Sequence, residues 1–246
     1  AKEYENNIKW SNILKEAIQD DRLIAFYQPI KNTKTDKIEK YETLIRLRDK
    51  DGSIISPYFF LDIAKKIKLY PYITKKVIDD SFKTFENNEY EFSINLSVND
   101  ILNEETVEYI KDKVKNSPAS KRVVFELLES EGIENYLEVI NFIDFIKTYG
   151  AKIAIDDFGT GYSSFEHLIE LKIDYIKIDA TMIKNIDKDK NIELIAQTIV
   201  EFANKLGIET IAEFVHTQTV YDKVREIGVT YSQGYFLGEP KEKLIL

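Results

Sequence analysis

The sequence predicts an α/β fold: a closed, TIM-type (β/α)8 barrel forming one domain over residues 1–246. Three observations lead there. The 246-residue chain is long for an ordinary domain but of the usual length for one such barrel. From residue 91 onward, short β-branched runs alternate with amphipathic stretches, the pattern of repeated βα units. No linker, low-complexity tract or charge block divides the chain. A doubly wound open sheet uses the same alternation, but the glycine-rich dinucleotide fingerprint of such sheets is absent.

Taken in order, residues 7–20 carry Ile8, Ile13, Leu14, Ala17 and Ile18 at helical spacing. A strand follows at 23–30, where Pro29 is expected to stop the ladder and leave the first strand irregular. Residues 31–37 read as a polar turn and 40–48 as a second strand. Pro57 favours the start of a helix with Phe59, Phe60, Ile63, Ala64 and Ile67 on one face. A second helix is expected from 73 to about 87. Strand and helix then alternate: 91–98 with 101–115, 122–128 with 135–149, and 152–156 with 165–171. The pairs 175–179 with 191–206 and 209–214 with 217–227 complete the series, their helices closed by Gly207 and Gly228. A last strand, 231–237, ends near Pro240.

Composition narrows the function. Hydrophobic residues make up 43% of the chain, enough for a sizeable core. A net charge of −9 argues against a nucleic-acid polymer as partner, since such binding relies on an excess of Lys and Arg. The absence of cysteine excludes disulfides, thiolate catalysis and cysteine zinc sites, and it suits a reducing cytoplasm. No apolar run reaches the roughly 18 residues of a membrane span. The first residue is Ala1, not Met, so the expectation is a domain excised from a longer regulatory protein whose upstream part is missing.

The most informative stretch is 152–164, KIAIDDFGTGYSS. Its apolar run delivers Asp156 and Asp157 into a loop punctuated by Gly159 and Gly161. Adjacent carboxylates repel unless a cation sits between them, and Mg²⁺ or Mn²⁺ takes such hard oxygen donors. An Asx-turn at a strand end uses the same residues. Strand parity bears on the choice. Glu126 opposes Phe125 and Leu127; Asn95 and Ser97 oppose Ile94 and Leu96; Lys177 and Asp179 oppose Ile176 and Ile178. Glu42, Leu44 and Arg46 share a face, Glu213 ends its strand, and Gln233 opposes Gly234 and Phe236. One inward charge is a structural pair; six strands each offering a polar group at the barrel mouth favour a metal site.

These residues resemble the EAL domain family, bacterial phosphodiesterases acting on cyclic di-GMP. The family's tripeptide reads Glu42-Thr43-Leu44 here, followed by Arg46 and preceded by Tyr27-Gln28-Pro29-Ile30. Asn95-Leu96-Ser97, residues 125–130 (FELLES), 156–164 (DDFGTGYSS), Lys177-Ile178-Asp179, Glu213 and Gln233-Gly234-Tyr235 follow in the family's order. The resemblance implies that Glu42, Asn95, Glu126, Asp156, Asp157 and Glu213 ligate two Mg²⁺ or Mn²⁺ ions, with Asp156 bridging. It implies that Lys177 orients the attacking water, with Asp179 and Gln233 in support. Gln28, Leu44 and Arg46 would touch the substrate, Arg46 through a phosphate. Glu129 would tie down the loop 158–164, which links metal binding to homodimer contacts in the family. The chemistry stands beside the name: a metal lowers the pKa of water, a second stabilises the entering and leaving oxygens, and Arg pairs with phosphate oxygens. Lys177, among carboxylates, is expected to stay charged.

Four positions depart from the family pattern. Thr43 replaces Ala but points away from the mouth by parity, and Leu128 replaces Thr on the face of Glu126. Phe214 replaces Gly and His216 replaces Glu after Glu213. His216 either tunes the site with pH or sits idle on the rim; His167 reads as a surface or packing residue. The expected function is metal-dependent hydrolysis of cyclic di-GMP to linear pGpG in the cytoplasm. A cyclic di-GMP receptor without turnover is the alternative. A glycoside hydrolase using Glu126 and Glu213 is a third reading, opposed by the surplus of ligands and by Lys177.

Overall fold

The computed structural model of the protein describes residues 2–131, 136–160 and 165–245. Helix α1 (Lys2–Gln19) leads into β1 (Leu23–Asn32), β2 (Ile38–Arg48) and the short β3 (Ile54–Ile55). After a 3-10 turn at Pro57–Phe59 come α2 (Leu61–Lys66), α3 (Tyr70–Phe85) and β4 (Glu91–Leu96). The remainder is α4 (Val98–Leu102), α5 (Glu104–Asn116), β5 (Val123–Leu128), α6 (Tyr136–Thr148), β6 (Lys152–Phe158) and α7 (Phe165–Glu170). It ends with β7 (Tyr175–Ile178), α8 (Ala180–Ile183), α9 (Lys190–Lys205), β8 (Glu209–Ala212), α10 (Gln218–Glu226) and β9 (Tyr231–Gln233).

The strands form a closed ring in the order β1-β9-β8-β7-β6-β5-β4-β2, sealed by pairing of β1 with β2; β3 extends β2 at its edge. β1 runs antiparallel to both its neighbours, whereas every other contact within the ring is parallel. The expected irregular first strand is therefore a reversed one.

Pro29 does not stop the ladder. It pairs with Tyr41, and β1 continues to Asn32. The reason is directional: alternate residues of a strand send their N–H groups to opposite neighbours. Tyr27 exchanges both its backbone bonds with Lys241, away from β2. Pro29 shares that parity, so its missing N–H subtracts nothing from the β1–β2 pairing.

Two helices also differ from expectation. The stretch 101–115 is broken at Asn103, whose side chain accepts from Thr106 N at 2.9 Å and starts α5 as its cap. The short α8 carries no sequence periodicity; Asp179 caps it through Thr181 N.

Most of the core lies between the strands and the helices around them. A smaller cluster of Ile30, Val124, Ala154, Tyr175, Ile211 and Tyr231 fills the barrel's interior. There the Lys40 ammonium lies 4.3 Å from the ring centroids of both Tyr175 and Tyr231, bonded to the Tyr175 hydroxyl and to Glu91. This closes the end where the parallel strands begin and leaves the opposite end for polar side chains. Among the described residues no helix is long and apolar enough to cross a membrane.

The segments after β8 and β9 touch backbone to backbone. Val215 N donates to Gln233 O at 3.0 Å, and Phe236 N donates to Val215 O at 3.2 Å. A Cβ on Gly234 would overlap the Val215 backbone, which cannot move without displacing Glu213. Gly234→Ala is therefore expected to destabilise the protein by about 3 kcal/mol. Urea unfolding measures this, and an unchanged midpoint would contradict it.

Candidate active site

Lys177 on β7 stands at the centre, with no exposed surface. Its Nζ lies 2.8 Å from Glu126, 3.0 Å from Glu213, 3.1 Å from Asp156 and 3.4 Å from Glu42. These partners come from β5, the residue after β8, β6 and β2, so the shared parity read from the sequence does bring the groups together. Parallel register sets Asn95 beside Glu126, and Asn95 Nδ2 donates to Glu42 at 2.9 Å. Gln233 Nε2 donates to Glu42 at 2.6 Å and to Gln28 Oε1 at 3.0 Å.

Regular alternation would send Asp156 and Asp157 to opposite faces. Instead Asp157 has φ +54°, and the pairing of β6 with β7 slips between Ile155 and Phe158. The bend swings the second carboxylate round, so that Asp156, Asp157 and Glu213 bring one oxygen each within 4.8 Å of one another. The left-handed region is strained for most side chains and is tolerated best by Asp, Asn and Gly. Phe214, next to Glu213, adopts φ +58°, a conformation that a bulky side chain rarely takes. Glycine, which the resemblance expects at this position, takes that conformation without strain.

The charges do not balance. Burial would lower the Lys177 ammonium, but Asp156, Glu126, Glu213 and Glu42 outweigh it and hold the proton on well above the usual range. Burial pushes the Glu126 carboxyl well above its ordinary value despite the pull of Lys177, with Glu42 and Asp156 adding to the rise. Glu213 is pushed up to about 8 by burial and by its neighbours Asp156 and Glu42, again against Lys177. Asp157 rises through burial and the Asp156 charge. Burial would raise Glu42 too, but Lys177, Gln233 and Asn95 outweigh it and hold its carboxyl below the ordinary value.

One ammonium cannot neutralise this ring. A hard divalent cation fits the all-oxygen donor set, and Glu126 Oε1 and Gln233 Oε1 are buried without hydrogen-bond partners. The residues present thus suit Mg²⁺ or Mn²⁺.

Beside the ring opens a cavity of about 450 Å³ whose walls include Gln28, Leu44, Glu213, Phe214, His216 and Tyr235. Phe214 and Tyr235 are 47% and 66% exposed; the Lys184 ammonium lies 5.9 Å from the Phe214 ring centroid and the His216 ring 5.3 Å from it. Neither Phe214 nor Tyr235 was singled out as a stacking residue by sequence; the signal was their position beside Glu213 and Gln233. Arg46 donates to Ile45 O at 2.8 Å and lies 5.8 Å from the Phe26 ring.

Asp179 spends one oxygen on Thr181, and its charge reaches Asp157. Glu129 accepts from Gly159 N and Thr160 N at 2.9 and 3.1 Å, at the start of the loop it was expected to hold. Residues 161–164 of that loop and the His167 side chain lie outside the described residues. Thr43 does point away, accepting from Ser81 Oγ at 3.0 Å. Leu128 lines an apolar hollow with Leu44 and Asn95.

A model of the EAL domain family matches residues 11–240. The cyclic di-GMP phosphodiesterase PdeB of Shewanella oneidensis is 35% identical over 247 residues, covering 97% of this chain and 29% of its own length. This chain thus spans under a third of that relative. The solved PaMucR phosphodiesterase, in complex with c-di-GMP, superposes with a TM-score of 0.88 at 25% identity, over 95% of this chain and 97% of that one. An EAL domain protein from Listeria monocytogenes EGD-e gives 0.86 at 28% identity, with 94% of each chain covered.

A carboxyl raised in the folded state favours folding at low pH and loses that contribution as pH rises through its folded value. For Glu213 in metal-free protein the window runs from the ordinary glutamate range up to about 8. Glu213→Gln in EDTA is accordingly expected to match wild-type Tm near pH 5, to exceed it increasingly up to about pH 8, and to keep a steady margin from there to pH 9. Thermal melts across that range measure the difference; a constant offset would contradict the assignment.

Proposed function

The chain belongs to the EAL domain family, and from that premise we propose that it is a metal-dependent phosphodiesterase hydrolysing cyclic di-GMP to linear pGpG. The observation that carries the reading is the buried Lys177 within four carboxylates, opening onto a cavity edged by Phe214 and Tyr235. Glu42, Asn95, Glu126, Asp156, Asp157 and Glu213 would hold two Mg²⁺ or Mn²⁺ ions. Bound there, the ions would acidify a water and neutralise charge on the attacked phosphate.

The chain's own residues do the rest. Lys177 keeps its proton and acts by charge and position, steadying the attacking water and the phosphate oxygens. Gln233 Oε1, buried and without a partner, is an acceptor available to that water. Asp179, held by Thr181 N, adds negative charge beside Asp157 that a bound cation would offset. Leu44 packs against the substrate, and Arg46 pairs with a phosphate once turned from the Ile45 carbonyl. Phe214 and Tyr235 offer faces to a purine. Hydrolysis adds one water and breaks one of the ring's P–O bonds, giving the open dinucleotide. The reading includes a homodimer, coupled to the metals through the loop that Glu129 ties down.

Incubation with cyclic di-GMP and Mn²⁺ or Mg²⁺, with an EDTA control, tests this by chromatography of the products. Linear pGpG is expected with metal and none in EDTA, and Lys177→Ala is expected to lower kcat at least about a hundredfold. Sedimentation in the same buffers reads the dimer. Tight binding of the intact dinucleotide with no product would make the chain a receptor, with Phe214 and His216 the departures to reverse first.

A further inference from the structure

The first strand of the ring is paired unequally on its two sides. β1 pairs with β2 over nine positions but with β9 over only three. The C-terminal segment fills the gap. Gly238 packs against the Pro29 ring, Lys241 exchanges two backbone bonds with Tyr27, Glu242 pairs with Arg48 at 2.8 Å, and Ile245 O accepts from the Tyr41 hydroxyl. Gln28, almost wholly buried, sits at this seam.

The amide orientations there follow from the groups at either end. Gly238 O can only accept, so Gln28 must turn its nitrogen to it, at 3.2 Å. Its oxygen then faces Gln233, at 3.0 Å. The Glu42 carboxylate also can only accept, so Gln233 turns its nitrogen to both Glu42 and Gln28. The result is a directed chain of hydrogen bonds from the C-terminal segment to a carboxylate of the ring.

We propose that residues 238–242 are a strap that sets the metal site: Gln28 is a positioning residue that carries the docking of the strap through Gln233 to Glu42. This rests on the metal-centre reading above. It gives Gln28 a task besides touching substrate, because both ends of its amide are engaged within the protein. A carboxylate held by such partners presents its oxygens at a fixed angle, and loss of the partners weakens metal affinity.

The test is calorimetric titration of Mn²⁺ into the whole chain carrying Gln28→Leu, Gly238→Ala or both. Each single variant is expected to bind Mn²⁺ about tenfold more weakly. The pair together should bind no more than about twofold worse than Gln28→Leu, since both break one chain. If Gly238→Ala fails to fold, Glu242→Lys loosens the strap from the exposed Arg48 instead. Unchanged Mn²⁺ affinity in Gln28→Leu, with only KM raised, would overturn the proposal and leave Gln28 a substrate contact. A metal-free urea cycle of the same variants separates the two failures. Additive losses overturn the relay, while a wild-type chain that binds no Mn²⁺ overturns the metal centre itself.

Discussion

The structure depends on one imbalance: a single buried ammonium, Lys177, faces four carboxylates in the interior of a barrel. Desolvated charges of one sign repel strongly where the effective dielectric is low. The protein relieves part of this with Lys177 and with the amides of Asn95 and Gln233 on Glu42. The remainder shows as carboxyls that retain protons, Glu126 and Glu213 above all. A ring that must carry protons when empty is a ring shaped for cations, and cations in such a place are what phosphate chemistry uses. The far end of the barrel solves a similar problem differently: Lys40 is matched there by two tyrosine faces and by Glu91, which Lys152 also pairs.

Geometry at the mouth comes from departures from regular backbone. Parallel strands of common parity bring Glu42, Asn95, Glu126, Asp156 and Lys177 to one end. They do not by themselves bring Asp157 beside Asp156. The left-handed backbone of Asp157 turns its carboxylate toward Asp156 and Glu213, and left-handed Phe214 redirects the chain just after Glu213. Strain of this kind, held by the surrounding packing, is common where function needs an unusual geometry.

Much of this was legible in the sequence. Periodicity gave the strand and helix order, and period-two parity identified the inward face before any contact was known. The reversed direction of β1 was not legible, because a strand's residues carry no mark of the way it runs in a sheet. Pro29 suggested a stop, yet the effect of a proline depends on which neighbour its nitrogen faces, and that is a tertiary fact. The bend at Asp157 was equally silent, although Asp tolerates it. The relay from Gly238 to Glu42 joins residues almost two hundred positions apart, beyond the reach of local pattern.

The central claim is that the carboxylate ring is completed by divalent cations that displace its protons. Calorimetric titration of Mn²⁺ into metal-free protein at pH 7, repeated in buffers of different ionisation enthalpy, measures both binding and the protons released with it. The account predicts saturable binding with net proton release, because Glu213 is pushed up to about 8 and Glu126 is raised as well. Binding without proton release, or no binding, would contradict it.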